Sequence, residues 1–296
     1  MKAFFQKYKP YYKDSLHLAI PVVISQIGHT LTQTADSIIV GHFAGTISLA
    51  AVALVNSIFV MGLVIGLGIS YGITPLIAQH NGRNEHDECG RLLSNSLLIN
   101  SIAGILLFVL ISFGAMHLIG HLDQSEEVVR QARPYLFLMG TSLIPLLVFN
   151  TFKQFAEGLG FTKQAMLISI WGNLLNICLG VIFVKGMFGI SPMGIRGVGY
   201  STLIDRCTMA CVMGVYVFRS KYFRKYLQNF ATRNIDRVRS IRILKIGTPV
   251  ALQYIFEVSA FSGAAILIGT ISPIAQAAHQ VAISLASLTY MAASGI

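Results

Sequence analysis

Residues 19–41 read AIPVVISQIGHTLTQTADSIIVG, and residues 247–269 read GTPVALQYIFEVSAFSGAAILIG. A shift of 228 pairs Pro21 with Pro249, Val22 with Val250, Ile27 with Ile255, Ile38 with Ile266 and Gly41 with Gly269. The match continues one residue out of register, with Ala50 and Ala51 against Ala277 and Ala278, Ser57 against Ser284, and Gly68 against Gly295. Each copy follows a basic segment and opens a pair of apolar runs, so the order predicts a repeat unit of six spans. An even number of spans gives both units the same orientation, a parallel repeat about an axis along the membrane normal.

The composition agrees. Of 296 residues, 54% are hydrophobic and only 11% are charged. A soluble domain carries about 25% charged residues to keep its surface wet. A soluble enzyme, a disordered chain and a disulfide scaffold are therefore excluded, which leaves an all-α polytopic membrane protein. Eight runs are long enough to span: 16–40, 49–78, 92–118, 135–152 (extending back toward Val128), 165–184, 197–218, 246–271 and 275–296. Helices are required because backbone in lipid must satisfy its own hydrogen bonds. Two units related by this shift need about 450 residues. The expectation is thus eight transmembrane helices of twelve, in two six-helix lobes. Residues 1–218 form the first lobe with a basic, aromatic interfacial N-terminus, 219–245 a basic amphipathic linker, and 246–296 the first two helices of a second, C-terminally incomplete lobe.

The basic residues orient the chain. With the N-terminus inside, inner segments hold Lys2, Lys7, Lys9, Lys13, Arg83, Arg91, Lys153, Lys163 and the nine Lys and Arg residues of 219–245. Outer loops hold only Arg130, Arg133, Lys185 and Arg196, and Arg206 lies within a span. This asymmetry predicts a cytoplasmic N-terminus in a multi-pass plasma-membrane protein. It also explains the formal net charge of +10 without nucleic acid. Three of the four cysteines, Cys178, Cys207 and Cys211, sit within apolar runs and read as small buried hydrophobes.

Ionisable residues inside spans are the functional candidates, because each is costly there. They are Asp36, Asp205, Arg206 and Glu257. Asp36 ends a stripe of Ser25, His29, Thr32 and Asp36, spaced by steps that keep one helix face, with Gln33 beside it. Asp36 lies roughly 6 Å below the outer end of its span, Asn176 roughly 12 Å and Thr202 roughly 8 Å. A carboxylate, an amide oxygen and a hydroxyl at similar depth suit a hard cation or a proton. Asn173 shares the face of Asn176. Glu257, with Gln253 one turn earlier, occupies the place of His29 in the second copy, and Gln280 with His279 opens the last span. Asp205 and Arg206 are adjacent, about 100° apart on a helix, and read as structural. Glu85, His86, Asp87 and Glu88 read as a solvated loop.

Together these residues resemble the multidrug and toxic compound extrusion (MATE) family. The resemblance is carried by Pro21 with TADSIIVGH (34–42), GNLLNICLG (172–180), GIRGVGYST (194–202), YIFEVSAF (254–261) and AAHQVA (277–282). It implies twelve helices in two lobes and no enzymatic activity. The implied function is export of organic cations, drugs and dyes, in exchange for Na⁺ or H⁺ by alternating access. It implies a cation site at Asp36, Asn176 and Thr202 and a second-lobe acid at Glu257, with His29, Gln33, Asn173, Gln253 and Gln280 lining the cavity. Gly180 stands where some members have a further acid. No cofactor is expected beyond the coupling ion. The expected partners are membrane lipid and small organic cations, with the protein a monomer. The competing reading is a lipid-linked oligosaccharide flippase of the same superfamily, whose anionic substrate calls for a cationic cavity. Here the in-span acids outnumber the base three to one.

Overall fold

The computed structural model describes residues 2–115, 117, 126–271 and 286. Its helices are α1 (Lys2–Phe43), α2 (Thr46–Tyr71), α3 (Ile73–Gly82), α4 (His86–Val109), α5 (Glu126–Gly158), α6 (Thr162–Lys185), α7 (Ile195–Arg219) and α8 (Arg237–Ile271). No strand occurs among the described residues. Five helical segments there are long and apolar enough to cross a membrane: Ile47–Gly82, His86–Gly114, Glu126–Gly158, Thr162–Lys185 and Ile195–Arg219. The chain is a multi-pass membrane protein. α1 and α8 are also long, 42 and 35 residues, and carry the polar groups considered below. The eighth run, with Gln280 and His279, lies outside the described residues.

Helix boundaries differ from the apolar runs in instructive ways. The basic N-terminal segment belongs to the same helix as the first span rather than to a separate interfacial element. The second run breaks at Gly72 into α2 and α3. The third ends in a π-helical turn, Leu110–Ala115. The seventh begins at Arg237, so the last nine residues of the expected linker are helix. Hydropathy marks where a helix meets lipid and says little about where it starts in water.

Between apolar helices in lipid, packing and hydrogen bonds replace the hydrophobic drive. α5 runs through the centre and packs on α2, α4 and α7, while α6 packs between α1 and α7. A buried polar chain pins three of these helices. Ser70 donates to Asn100 Oδ1 at 3.1 Å, and Asn100 Nδ2 donates to Thr151 Oγ1 at 2.8 Å. Cys178, Cys207 and Cys211 are exposed on the outer surface of α6 and α7, against the buried placement expected, and only Cys89 is buried. Apolar character alone does not separate a lipid-facing position from a core one.

The linker is tied down rather than lying free. Phe223 and Tyr226 are buried, and the Tyr226 hydroxyl donates to Asn81 Oδ1 at 2.8 Å. The fully buried Asn95 accepts from the Asp236 backbone N–H at 2.8 Å and donates to the Asn234 carbonyl at 3.1 Å. Arg239 grips Glu88 with two hydrogen bonds of 2.9 Å and Asp236 with one of 2.8 Å. Glu88 is therefore not merely solvated, and Glu85 likewise pairs with His80. Among the described residues, no group of three or more His, Cys, Asp or Glu side chains is placed to hold a metal ion. A double-mutant cycle of Glu88→Gln and Arg239→Gln should show a coupling of about 1 kcal/mol in thermal unfolding, because the pair is two-pronged yet partly hydrated. Additivity would assign the clasp no energetic role.

Candidate functional site

The polar stripe of α1 turns inward. Ser25 and Thr32 are buried, and Gly28 sits so close to α6 that a Cβ there would lie 2.8 Å from Asn173 Nδ2. α6 in turn lies on α7, and α7 on α5. These four helices, with Asn56 of α2, border a cavity of about 40 Å³ lined by Asp36, Asn176, Thr202, Asp205, Arg206 and Tyr135. His29, Gln33 and Asn173 also reach its wall. Depth matching alone did not establish that the three helices adjoin, and the structure shows that they do.

The polar atoms are unevenly served. Asn176 Nδ2 donates to Thr202 Oγ1 at 3.2 Å, which links α6 to α7. Asp36 Oδ1, Asp205 Oδ1 and Asn176 Oδ1 are all buried with no hydrogen-bond partner. Buried oxygens without donors are costly, and three on one small cavity make a site that attracts a cation or a proton. Arg206 balances part of the charge. It is 6% exposed, donates to Ser142 Oγ at 2.6 Å, and stacks 5.0 Å from the centre of the Phe59 ring. With both carboxyls ionised, two carboxylates and one guanidinium leave one negative charge uncompensated.

Asp205 therefore lines the site itself, where the sequence reading made it structural. Gly172 lets it in: a Cβ at that position would lie 2.6 Å from Asp205 Oδ1 and 2.5 Å from Met209 Cγ. Gly180, where an additional acid was absent, leaves room beside Asp36, with its own Cβ position 4.0 Å from Asp36 Oδ1. Lys153 and Glu157 were also missed. Lys153 reads from the sequence as an inner-loop charge, yet it is 8% exposed on α5, with Glu157 Oε1 3.9 Å away. The available signal was the uninterrupted stretch TFKQFAE, which offers no turn residue before Gly158. With this pair included, the in-span acids among the described residues do not outnumber the bases three to one.

Glu257 and Gln253 lie on α8, away from this cavity. Glu257 is half-buried and Gln253 exposed, while Tyr254 beside them meets the Tyr71 ring at 6.1 Å between centroids. The expectation for Gln280 lies outside the described residues.

The MatE family model matches residues 21–182, which hold the stripe of α1 and the site face of α6. The chain belongs to the MATE family. It is similar to a probable multidrug resistance protein NorM of Idiomarina loihiensis, 30% identical over 92% of this chain and 58% of that protein. It is likewise similar to the multidrug resistance protein NorM of Photobacterium profundum, 32% identical over 94% of this chain and 61% of that one. Against the multidrug resistance protein MdtK of Edwardsiella ictaluri the figures are 31%, 97% and 62%. The chain thus spans about three fifths of the length of these relatives. The MATE fold is equally clear in solved structures. An outward-facing multidrug resistance MATE family transporter of the MOP superfamily superposes with a TM-score of 0.84 at 23% identity, covering 96% of this chain and 62% of that one. The eukaryotic MATE transporter AtDTX14 gives 0.83 at 18% identity, covering 97% and 63%.

Proposed function

We propose that the protein is a secondary active multidrug efflux transporter of the plasma membrane that exchanges organic cations for Na⁺ or H⁺ by alternating access. The observation that carries this reading is the cavity with three unpartnered oxygens and one surplus negative charge. Such a site is satisfied by one monovalent cation. It cannot hold a driver ion and a cationic substrate at full strength together, so each displaces the other. Entry of one charge down ~100 mV releases ~2.3 kcal/mol, enough to drive a modest uphill export.

In this reading Asp36, Asn176 and Thr202 hold the cation, joined by Asp205, while His29, Gln33 and Asn173 line the path. Glu257, with Gln253 and Gln280, supplies an acid on the second lobe. Arg206 and Lys153 raise the question of an anionic substrate, as in a lipid-linked oligosaccharide flippase. Each base has an acid within its surroundings, and the in-span groups of the first lobe, three acids (Asp36, Glu157, Asp205) against two bases (Lys153, Arg206), favour cations when ionised. The protein acts as a monomer in lipid, without nucleic acid or an organic cofactor.

The test is efflux of ethidium from proteoliposomes holding the intact protein, under an Na⁺ gradient and separately under an H⁺ gradient. Efflux under at least one is expected, and none under either would refute exchange. Orientation has its own check. Single cysteines placed in 221–231, in a background without the native ones, should be labelled only from the cytoplasmic side, and one at Ile190 only from outside. The opposite pattern would invert the topology.

A further inference from the structure

A larger cavity opens at the end of the bundle away from the basic linker. It measures about 490 Å³ and lies where α1 ends at Phe43, α5 begins with Arg130 and Pro134, and α7 starts after Gly194. The positive-inside asymmetry leaves only four basic residues at this end, Arg130, Arg133, Lys185 and Arg196. Two of them, Arg130 and Arg196, line the cavity, and the Lys185 ammonium stands 5.8 Å from the centre of the Phe43 ring. Among the described residues no carboxylate lines it. Arg130 does meet Glu127 at 4.0 Å, but both side chains are exposed, and such a pair holds weakly. The start of α7 adds to the positive character. Gly194 precedes it at φ +56, and no side chain caps its first N–H groups. Uncapped N–H groups beside two guanidiniums are the donors that a phosphate takes.

The loop joining α6 to α7 supplies an independent observation. Phe188 is 85% exposed, and Met187 and Met193 are exposed with it. Phe188 also sits at φ +57, a costly conformation for a bulky side chain. The loop is nonetheless fixed: Met187 N–H donates to the Ile182 carbonyl and Met193 N–H to the Phe183 carbonyl, each at 3.0 Å. An apolar ring held in a strained conformation and left in water is doubly unfavourable. Acyl chains remove the second cost. Met193 belongs both to this apolar loop and to the cavity wall, so the two features are continuous.

We propose that the cavity binds the phosphate of an anionic phospholipid from the leaflet at that end, through Arg130, Arg196 and the start of α7, while the loop of residues 186–193 enters the acyl region beside it. A phospholipid fits better than a free anion because Phe43, Pro134 and Met193 give the cavity apolar walls for glycerol and the first acyl carbons. Its volume falls in the range of pockets that enclose a small organic molecule, ~300–1,000 Å³. A zwitterionic headgroup brings a cation toward the guanidiniums and is disfavoured. The site is separate from the Asp36–Asp205 cavity and does not depend on the export reading.

The test places a bimane on a single cysteine at Ile190, in the intact protein without its native cysteines, reconstituted in phosphatidylcholine vesicles. Phosphatidylglycerol or phosphatidylcholine with brominated acyl chains is titrated in, and quenching reports lipid at the loop. Half-quenching should need about tenfold less brominated phosphatidylglycerol than brominated phosphatidylcholine, the size expected of charge-assisted contacts. Arg130→Gln with Arg196→Gln should bring the two lipids within about twofold of each other. These side chains are exposed, so the double variant should melt with the parent. Arg133→Gln, exposed on α5 and outside the cavity wall, should keep the preference. Equal quenching by both lipids in the parent would overturn the site, and no quenching by either would overturn the insertion of the loop as well. A loss in Arg133→Gln as large as in the double variant would replace the site with diffuse surface charge. Removal of the preference by millimolar inorganic phosphate at constant ionic strength would make it a free-anion site and overturn the lipid.

Discussion

Asp36→Asn is expected to lower gradient-driven efflux about a thousandfold, to background, under both Na⁺ and H⁺ gradients. A unit charge about 4 Å from a bound cation contributes roughly 4 kcal/mol at the effective dielectric of a partly buried site. That corresponds to about three powers of ten in cation affinity. The change keeps the shape of the side chain and removes the surplus charge, because Asp205 alone then only balances Arg206. Folding should survive, since an amide is cheaper to desolvate than a carboxylate. Asp205→Asn leaves the same net charge and should also cost at least about tenfold. Glu257→Gln, away from the described cavity, should be less damaging than Asp36→Asn. The measurement is initial efflux rate against a melting curve on the same preparation. Near-normal efflux in Asp36→Asn under both gradients would return Asp36 to a packing role. Full activity in Asp205→Asn, with Asp36→Asn inactive, would make the site a single-acid one.

The difference between Asp36 and Asp205 shows how far the sequence could be read. The stripe of Ser25, His29, Thr32 and Asp36 is legible because a helix repeats its face every three or four residues, and a polar face in an apolar span has to look inward. The depth of Asn176 and Thr202 is legible from their distance to a span end. Which helices are neighbours is not, because any two apolar surfaces satisfy lipid equally well. Adjacency to Arg206 makes Asp205 read as structural. Its role depends on Gly172, a missing Cβ on another helix, and no pattern within its own span announces that. Lys153 was hidden by the converse error. A lysine near a span end satisfies the positive-inside count whether it faces water or turns back into the bundle. The linker was opaque for a third reason: its basic residues explain solubility and topology, while Asn95, Glu88 and Asn81, which hold it, are scattered through α3 and α4. The cysteines mark the limit of hydrophobicity itself, since lipid and protein core select the same residues.

The crossing of α2 and α8 carries the other large effect. Gly68 on α2 and Gly72 at its C-terminal break meet Gly247 and Ala251 on α8, small residues four apart on each side. A Cβ on Gly72 would lie 2.6 Å from the Ile243 carbonyl oxygen and 2.9 Å from the Gly247 nitrogen. One on Gly247 would lie 2.8 Å from the Ile69 carbonyl oxygen, and one on Gly68 would strike the backbone of Ala251. These neighbours are backbone atoms and cannot rotate away, so a larger residue must part the helices. Such small-residue crossings hold membrane helices together because close approach is what makes their packing strong. On the two-unit reading of the repeat, α2 belongs to the first unit and α8 begins the second, so the proposed alternating access would open this crossing. Gly68→Leu should therefore cost the closed arrangement about 1–3 kcal/mol, as overpacking typically does. That shifts the balance toward separated helices by roughly ten- to a hundredfold. A cysteine at Ser25, in the otherwise cysteine-free intact protein, should then react faster with a reagent applied from the side that bears the basic linker. Gly82→Ala, where a Cβ meets nothing within 4 Å, is the control and should leave the rate at the wild-type value. Equal labelling rates in all three, with equal melting temperatures, would show that the crossing tolerates bulk and does not gate the cavity.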